Sequence, residues 1–364
     1  MWRRVRVLAA AVLLLASCDA QQAYDWHLPA HTPAPWDPPE NPMTAAKVAL
    51  GRALFYDTRL SINGAMSCAN CHRQELAFTD GRPVAIGATG QHHTRSAMSL
   101  VNVAYNTVFT WANPLVDSLE HQALLPMFGE APVEMGLAGK EHEVLATLKA
   151  DKDTAALFGR AFPRDADPVT LDHLTKALAS FERSIVSANA PFDRYMRGDD
   201  TAFTPAQERG FRLFLSERLE CYHCHGGFNF TDSTRHGGDE QLAQPYHNTG
   251  LYNVDGKGAY PKGGTGVAEI SNDDRDMGKF RAPTLRNIAV TAPYMHDGSI
   301  ATLSEVLDHY AAGGRAHSAR TSEFIPGFIL TDEEKADLLA FFDSLTDKDV
   351  LTDPRFSDPH KSPR

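Results

Sequence analysis

"CANCH" (68–72) and "CYHCH" (221–225) are one five-residue word written twice, and they decide how the rest of the chain is read. Cysteine-x-x-cysteine-histidine is the attachment pattern of a c-type haem. Two thiols add to the porphyrin vinyl groups, and the adjacent histidine meets the iron on one face. A redox dithiol, a structural disulfide and a zinc site draw on the same residue types. Two copies, both ending in histidine, favour haem over all three. Cys68, Cys71 and His72 are therefore expected to hold one haem, and Cys221, Cys224 and His225 a second.

Of the five cysteines, only Cys18 is left over. It ends "MWRRVRVLAAAVLLLASC", where Arg3, Arg4 and Arg6 precede an apolar run from Val7 to Leu15. This is the layout of an export signal, too short to span a bilayer as a helix. "LASC" resembles a bacterial lipobox, so residues 1–17 are expected to be removed and Cys18 lipidated. One lipidated terminus anchors a chain without threading it through a membrane. The expectation is an exported, periplasmic, lipid-anchored protein. Residues 18–43 are rich in proline and read as a stiff tether, with Trp26 and Trp36 expected to dock it. The formal net charge of −11 argues against nucleic acid as a partner.

The surroundings of the two haem words also match. "KVALGRALFYD" (47–57) and "QERGFRLFLSE" (207–217) share G-x-x-L-F, and "MSLVNVAYN" (98–106) echoes "PTLRNIAVT" (283–291). Self-similarity at this spacing points to an internal duplication. The expected fold is mostly α with little strand, as two cytochrome c-like haem domains over residues 44–200 and 201–346, followed by a tail over 347–364. Thr204 with Gln207, Thr302 with Glu305 and Thr331 with Glu334 are capping boxes that start helices. Leu171, Leu174, Leu178, Phe181 and Ile185 follow helical spacing and are read as core. Residues 226–282, rich in Gly, Asn and Asp, are read as long loops.

These motifs resemble the bacterial di-haem cytochrome c peroxidase and MauG superfamily. The resemblance runs from about residue 41 to 346 and is carried by "LFYDTRLS" (54–61), "FTDGRPV" (78–84), "PVEMG" (132–136) and "APTLRNIAVTAPYMHDGSIATLSEVL" (282–307). "YDWHLP" (24–29) and "NPMTAAKVALGRALFYDTRLS" (41–61) are most similar to the MbnH-like members. The resemblance implies that hydrogen peroxide reacts at the first haem. It places the distal glutamine and glutamate at Gln122 and Glu134, a further pocket residue at Pro126, and an inter-haem tryptophan at Trp111. Where some relatives close the first haem with a second histidine, "PVAIGATG" (83–90) has Ala88. That implies an open first iron. His92 and His93 lie near and are read as a solvent-facing pair.

For the second haem, the resemblance puts the far axial ligand in "SEVLDHYAAGG" (304–314), at Tyr310. Peroxidases of the family carry methionine there and MauG-type members tyrosine. Met277, Met295, His296 and His309 are competing ligands. An anionic oxygen ligand favours oxidised iron, whereas a thioether raises the potential. Tyrosine thus implies a state in which the two irons share peroxide's two oxidising equivalents. A calcium ion between the domains is also implied, through backbone oxygens of Arg281 and Pro283, with Ser96 where the family has asparagine. The surface tryptophan of MauG is replaced by Leu219, so a partner must be reached by another route. MbnH-like enzymes imply a protein substrate, a tryptophan of an MbnP-like copper-binding protein. A peroxidase fed by a small redox protein and a plain di-haem electron carrier are the competing functions.

Overall fold

The shared G-x-x-L-F word marks where two helices cross in each half of the chain. The computed structural model describes residues 24–236 and 245–361, so Cys18 and the export signal lie outside the described residues. Its helices are α1 (Ala45–Phe55), α2 (Leu119–Phe128), α3 (Glu141–Ala150), α4 (Lys152–Ala161), α5 (Leu171–Arg183), α6 (Pro191–Met196), α7 (Pro205–Phe214), α8 (Tyr222–His225), α9 (Ala268–Ser271), α10 (Leu303–Ala311) and α11 (Asp332–Ser344). The one sheet among the described residues is a two-residue antiparallel pair, His247 with Phe280 and Asn248 with Lys279. The fold is accordingly mostly helical. No helix among the described residues is long and apolar enough to cross a membrane.

In the first half α1 packs on α5, and in the second α7 packs on α11. A Cβ at Gly51 would lie 1.8 Å from the Ala177 carbonyl oxygen, and one at Gly210 would lie 2.0 Å from that of Asp337. Only glycine permits backbones to approach this closely. The leucine and phenylalanine of the first word, Leu54 and Phe55, are buried, as is Phe214 of the second. Phe181 and Phe341, each four residues beyond the touched carbonyl, meet Phe55 and Phe214 at centroid distances of 5.1 and 5.2 Å. The three expected N-caps, Thr204, Thr302 and Thr331, each accept a bond from the backbone amide three residues on. Thr44 does the same at the start of α1.

The second repeated word fixes the halves to their own helices. Asn102 and Asn287 both adopt left-handed φ, 59° in each case, and open a 3-10 turn. Asn102 receives Ser187 N at 2.7 Å and donates to Ser187 O, while Asn287 donates to Asp347 O at 3.0 Å. Ser187 Oγ then donates to Asn287 Oδ1 at 2.9 Å, joining the two copies.

From residue 24 onward the proline-rich stretch lies against the body, docked through Trp36 as expected: Arg235 stacks over the Trp36 ring at 4.3 Å, and Tyr105 Oη donates to Pro33 O. The segment after residue 346 packs back onto the body as well. Val350 and Phe356 are buried in the core of the first half, and Tyr56 Oη and Gln74 Nε2 donate to carbonyls of this segment. It is a clasp from the second half onto the first, built on two isolated apolar side chains and backbone acceptors that carry no periodic signal.

Candidate haem sites

Each CxxCH histidine is held the same way. His72 Nδ1 bonds Phe78 O at 2.9 Å, and His225 Nδ1 bonds Phe230 O at 3.0 Å. With Nδ1 donating its proton to a carbonyl, Nε2 keeps its lone pair for a metal. Burial holds both imidazoles below their ordinary pKa, hence neutral. Phe78 and Phe230 both have positive φ, 61° and 49°, which turns their carbonyls onto the rings. No disulfide joins Cys68, Cys71, Cys221 or Cys224. Cys71 and His72 line one cavity, with Cys68 in a smaller pocket that adjoins it, and Cys221, Cys224 and His225 line another. A further observation fits a haem. Arg281 is 4% exposed, lines both cavities, and leaves Nε and Nη1 without a hydrogen-bond partner among the described residues. A buried guanidinium needs an anion, and the propionate carboxylates of haem are of that kind.

The first cavity brings Gln122, Pro126 and Glu134 together with His72. Gln122 and Pro126 come from α2. Glu120 on the same helix accepts both Arg183 guanidinium nitrogens at 2.7 Å, locking α2 to α5. Proline at 126 sits in the last turn, and its carbonyl accepts Met135 N at 2.9 Å, folding the Glu134 loop back over the helix. Glu134 is half-buried, its side chain about 30% exposed, and partial burial raises its pKa. Ala88 N donates to Glu134 O at 2.6 Å. Ala88 thus pins the loop through its backbone, and its methyl offers no ligand.

His92 is exposed, but His93 is not its solvent-facing twin. His93 lines the cavity with Nε2 3.8 Å from Glu134 Oε1, and its Nδ1 accepts Arg95 N at 3.0 Å. That acceptor role puts the proton of neutral His93 on Nε2, facing Glu134. The backbone bond from His93 N to Ala85 O turns the side chain inward, a loop effect that adjacent histidines in a sequence do not announce.

The second cavity holds Tyr310 on the wall with His225. The Tyr310 hydroxyl makes no hydrogen bond to the described residues, and burial raises its pKa. His309 turns the other way: Nε2 meets Thr249 O at 2.9 Å and Nδ1 accepts Arg315 N at 3.1 Å, so neither nitrogen is available to a metal. His296 stacks on Phe280 at 3.7 Å. Met295 lines this cavity, whereas Met277 does not. Asp232, from a loop, and His247, from the short strand pair, are paired at 2.6 Å beside Cys224 and have no motif to flag them.

Trp111 lines both cavities. It is fixed at two points: Nε1 donates to Ser96 O at 3.0 Å, and its carbonyl accepts Arg281 N at 2.8 Å. Ser96, Arg281 and Pro283 share a small adjoining pocket with Asn106, whose buried Oδ1 has no hydrogen-bond partner among the described residues. Ser96 Oγ is turned to Met295 O at 3.2 Å.

Comparison with known proteins agrees with this geometry. The profile of the di-haem cytochrome c peroxidase family matches residues 45–201. Methylamine utilization protein MauG of Methylorubrum extorquens is 37% identical over 310 residues, 85% of this chain and 80% of that protein. Cytochrome-c peroxidase IdrP1 of Denitromonas iodatirespirans is 34% identical over 99% of this chain and 96% of its own. A crystal structure of a MauG-like protein associated with microbial copper homeostasis superposes with a TM-score of 0.90 at 46% identity, covering 93% of this chain and all of the other.

Proposed function

The chain belongs to the di-haem cytochrome c peroxidase and MauG family, and we propose that this haem oxidoreductase is a peroxide-dependent oxidase of a partner protein rather than a peroxide scavenger. When bound, the haems supply an iron at which peroxide's O–O bond breaks and two centres that hold its oxidising equivalents. The observation that carries the reading is the unbonded Tyr310 hydroxyl in the cavity of His225. Its apolar surroundings keep it a neutral phenol until a cation meets it, and as a phenolate it favours oxidised metal. Tyr310 therefore suits a site that stores oxidising power.

At the first site, Glu134 Oε1 takes the proton of the incoming peroxide and returns it to the departing oxygen, which leaves as water. Its burial raises its basicity toward that task. His93, with Nε2–H toward Glu134, orients the carboxylate. Gln122 and Pro126 shape the approach, and Ala88 leaves the face open. Trp111, in the wall between the cavities, carries electrons between them. Asn106 Oδ1, beside Ser96, Arg281 and Pro283, is a donor of the kind calcium takes, which supports a calcium there.

The substrate we propose is a side chain, tryptophan first, of an exported MbnP-like copper-binding protein. The 46% identity to the MauG-like protein of copper homeostasis supports that choice. The protein itself is taken as periplasmic and lipid-anchored at Cys18. Met295 in the second cavity favours one other reading, a cytochrome c peroxidase drawing on a small redox protein. Incubating the di-haem protein with hydrogen peroxide and such a copper-binding protein, then mapping its peptides by mass, separates the two. The oxidase yields a modified tryptophan; an unmodified partner with peroxide consumed at the expense of ferrocytochrome c overturns it.

A further inference from the structure

Between the cysteines of the second haem word lie Tyr222 and His223, and these two rings continue a stack that starts in the haem cavity. Phe324 lines that cavity with Cys221 and Cys224 and is 39% exposed, so it spans wall and surface. Its ring lies 4.4 Å from that of His223, with 23° between planes. His223 in turn lies 4.3 Å from Tyr222, with 30° between planes. At the outer end, Tyr222 Oη donates to Glu217 Oε1 at 2.7 Å. Glu220 pairs with His223, and Leu219 is buried.

Three stacked rings from a redox cavity to solvent, ending in a phenol bonded to a carboxylate, have a specific use. A phenol is hard to oxidise unless its proton leaves with the electron, and a carboxylate in hydrogen-bond contact takes that proton. A tyrosine placed only for packing has no need of this pairing. From this geometry we infer that Tyr222 is the electron relay through which the second haem is reduced by a side chain outside the protein. Tyr222 gives one electron inward along the stack and its phenolic proton to Glu217. One electron from the partner's side chain and the proton returned by Glu217 restore it. Two passages deliver two electrons, and with the two protons that the oxidised side chain releases they convert one hydrogen peroxide into two waters. The inference rests on the oxidase reading for the identity of the electron donor, and on the stack alone for the route. Glu217 is a positioning and proton-holding residue, whereas Tyr222 carries the electron.

The test uses the di-haem protein, its Tyr222→Phe variant and its Glu217→Gln variant, each treated with one equivalent of hydrogen peroxide without partner, in the presence of a nitroso spin trap. The optical spectrum follows the lifetime of the oxidised protein, and peptide mapping locates the adduct trapped as that state decays. All three proteins are expected to reach the same oxidised spectrum. The wild type should carry the adduct on Tyr222; Tyr222→Phe should lack it and persist several-fold longer. Glu217→Gln should carry several-fold less adduct and lose the solvent deuterium effect on the decay. An oxidised wild type with no adduct at Tyr222, or a Tyr222→Phe variant that decays at the wild-type rate, overturns the relay alone. Failure of the wild type to form any oxidised state overturns the oxidase reading and the relay with it.

Discussion

Replacing Gly51 with alanine tests the helix crossing on which the duplicated fold rests. The new Cβ would stand 1.8 Å from the Ala177 oxygen, 2.6 Å from its carbonyl carbon and 2.9 Å from Phe181 Cβ. Comfortable contact needs roughly 3.5 Å, so α1 and α5 must part by about 1.7 Å along that line. The obstacle is backbone in a helix interior and has no rotamer to change. Overpacking of this kind costs about 1–3 kcal/mol, with the rigid neighbour placing it at the upper end. Alanine's better helix propensity returns about 1 kcal/mol. A net loss of about 2 kcal/mol corresponds to a fall in Tm of roughly 4–8 °C. Gly159 in α4 is the matched control, since a Cβ there meets nothing within 4 Å. Gly159→Ala should be neutral or stabilising by up to about 1 kcal/mol. Thermal unfolding of the haem-loaded proteins, followed by far-UV circular dichroism, reads both. If Gly51→Ala were as stable as Gly159→Ala, the crossing would not be close-packed as described.

Two further outcomes follow from acids whose pKa burial raises. Glu134→Gln keeps the shape of the side chain and removes its proton chemistry, so the stopped-flow rate with peroxide should fall by about 10²–10⁴-fold. Because burial raises the Glu134 pKa, the wild-type rate should climb with pH through a limb above the ordinary carboxylate range, and that limb should vanish in the variant. Glu182, buried on α5 with no partner for Oε2 among the described residues, has its pKa pushed up to about 8 by burial. For an acid with a raised folded-state pKa, the stabilising contribution is complete below the unfolded value near 4.5 and is lost as pH rises to about 8. Denaturant unfolding should therefore show wild-type stability dropping across that window by a few kcal/mol, at roughly 1.4 kcal/mol for each step of one pH. Glu182→Gln should flatten the profile.

Much of the architecture is readable before any coordinates, because covalent haem attachment and close helix crossing leave local marks. A thioether needs Cys68 and Cys71 at fixed spacing with His72 beside them, and a backbone approach at Gly51 needs that residue type. Tyr310 is different. Its helix and caps are local, but its meaning depends on an iron brought in by the second haem word, with His225 standing 85 positions earlier, and His309 beside it has equal chemistry until the fold occupies both its nitrogens. His93 and Arg281 are not legible, since long-range loop contacts alone turn one toward Glu134 and strand the other between two cavities. The same holds for the clasp at residues 347–361, whose hold on the first half rests on Val350, Phe356 and backbone carbonyls. The stack of Phe324 on His223 joins residues a hundred apart and has no sequence signature either.

Tyr310 and His225 line one cavity, and the central proposal is that Tyr310, not a thioether, would be the second protein ligand of an iron held there by His225. One equivalent of hydrogen peroxide added to the diferric protein, followed by optical and electron paramagnetic resonance spectroscopy, tests it in the wild type and in Tyr310→Met. The account predicts one high-spin haem at rest in the wild type, then a long-lived state two equivalents above it without an accumulated organic radical. Tyr310→Met should load both haems and fail to hold that state. Two low-spin haems inert to peroxide, or a Tyr310→Met variant that keeps the two-equivalent state unchanged, would contradict it.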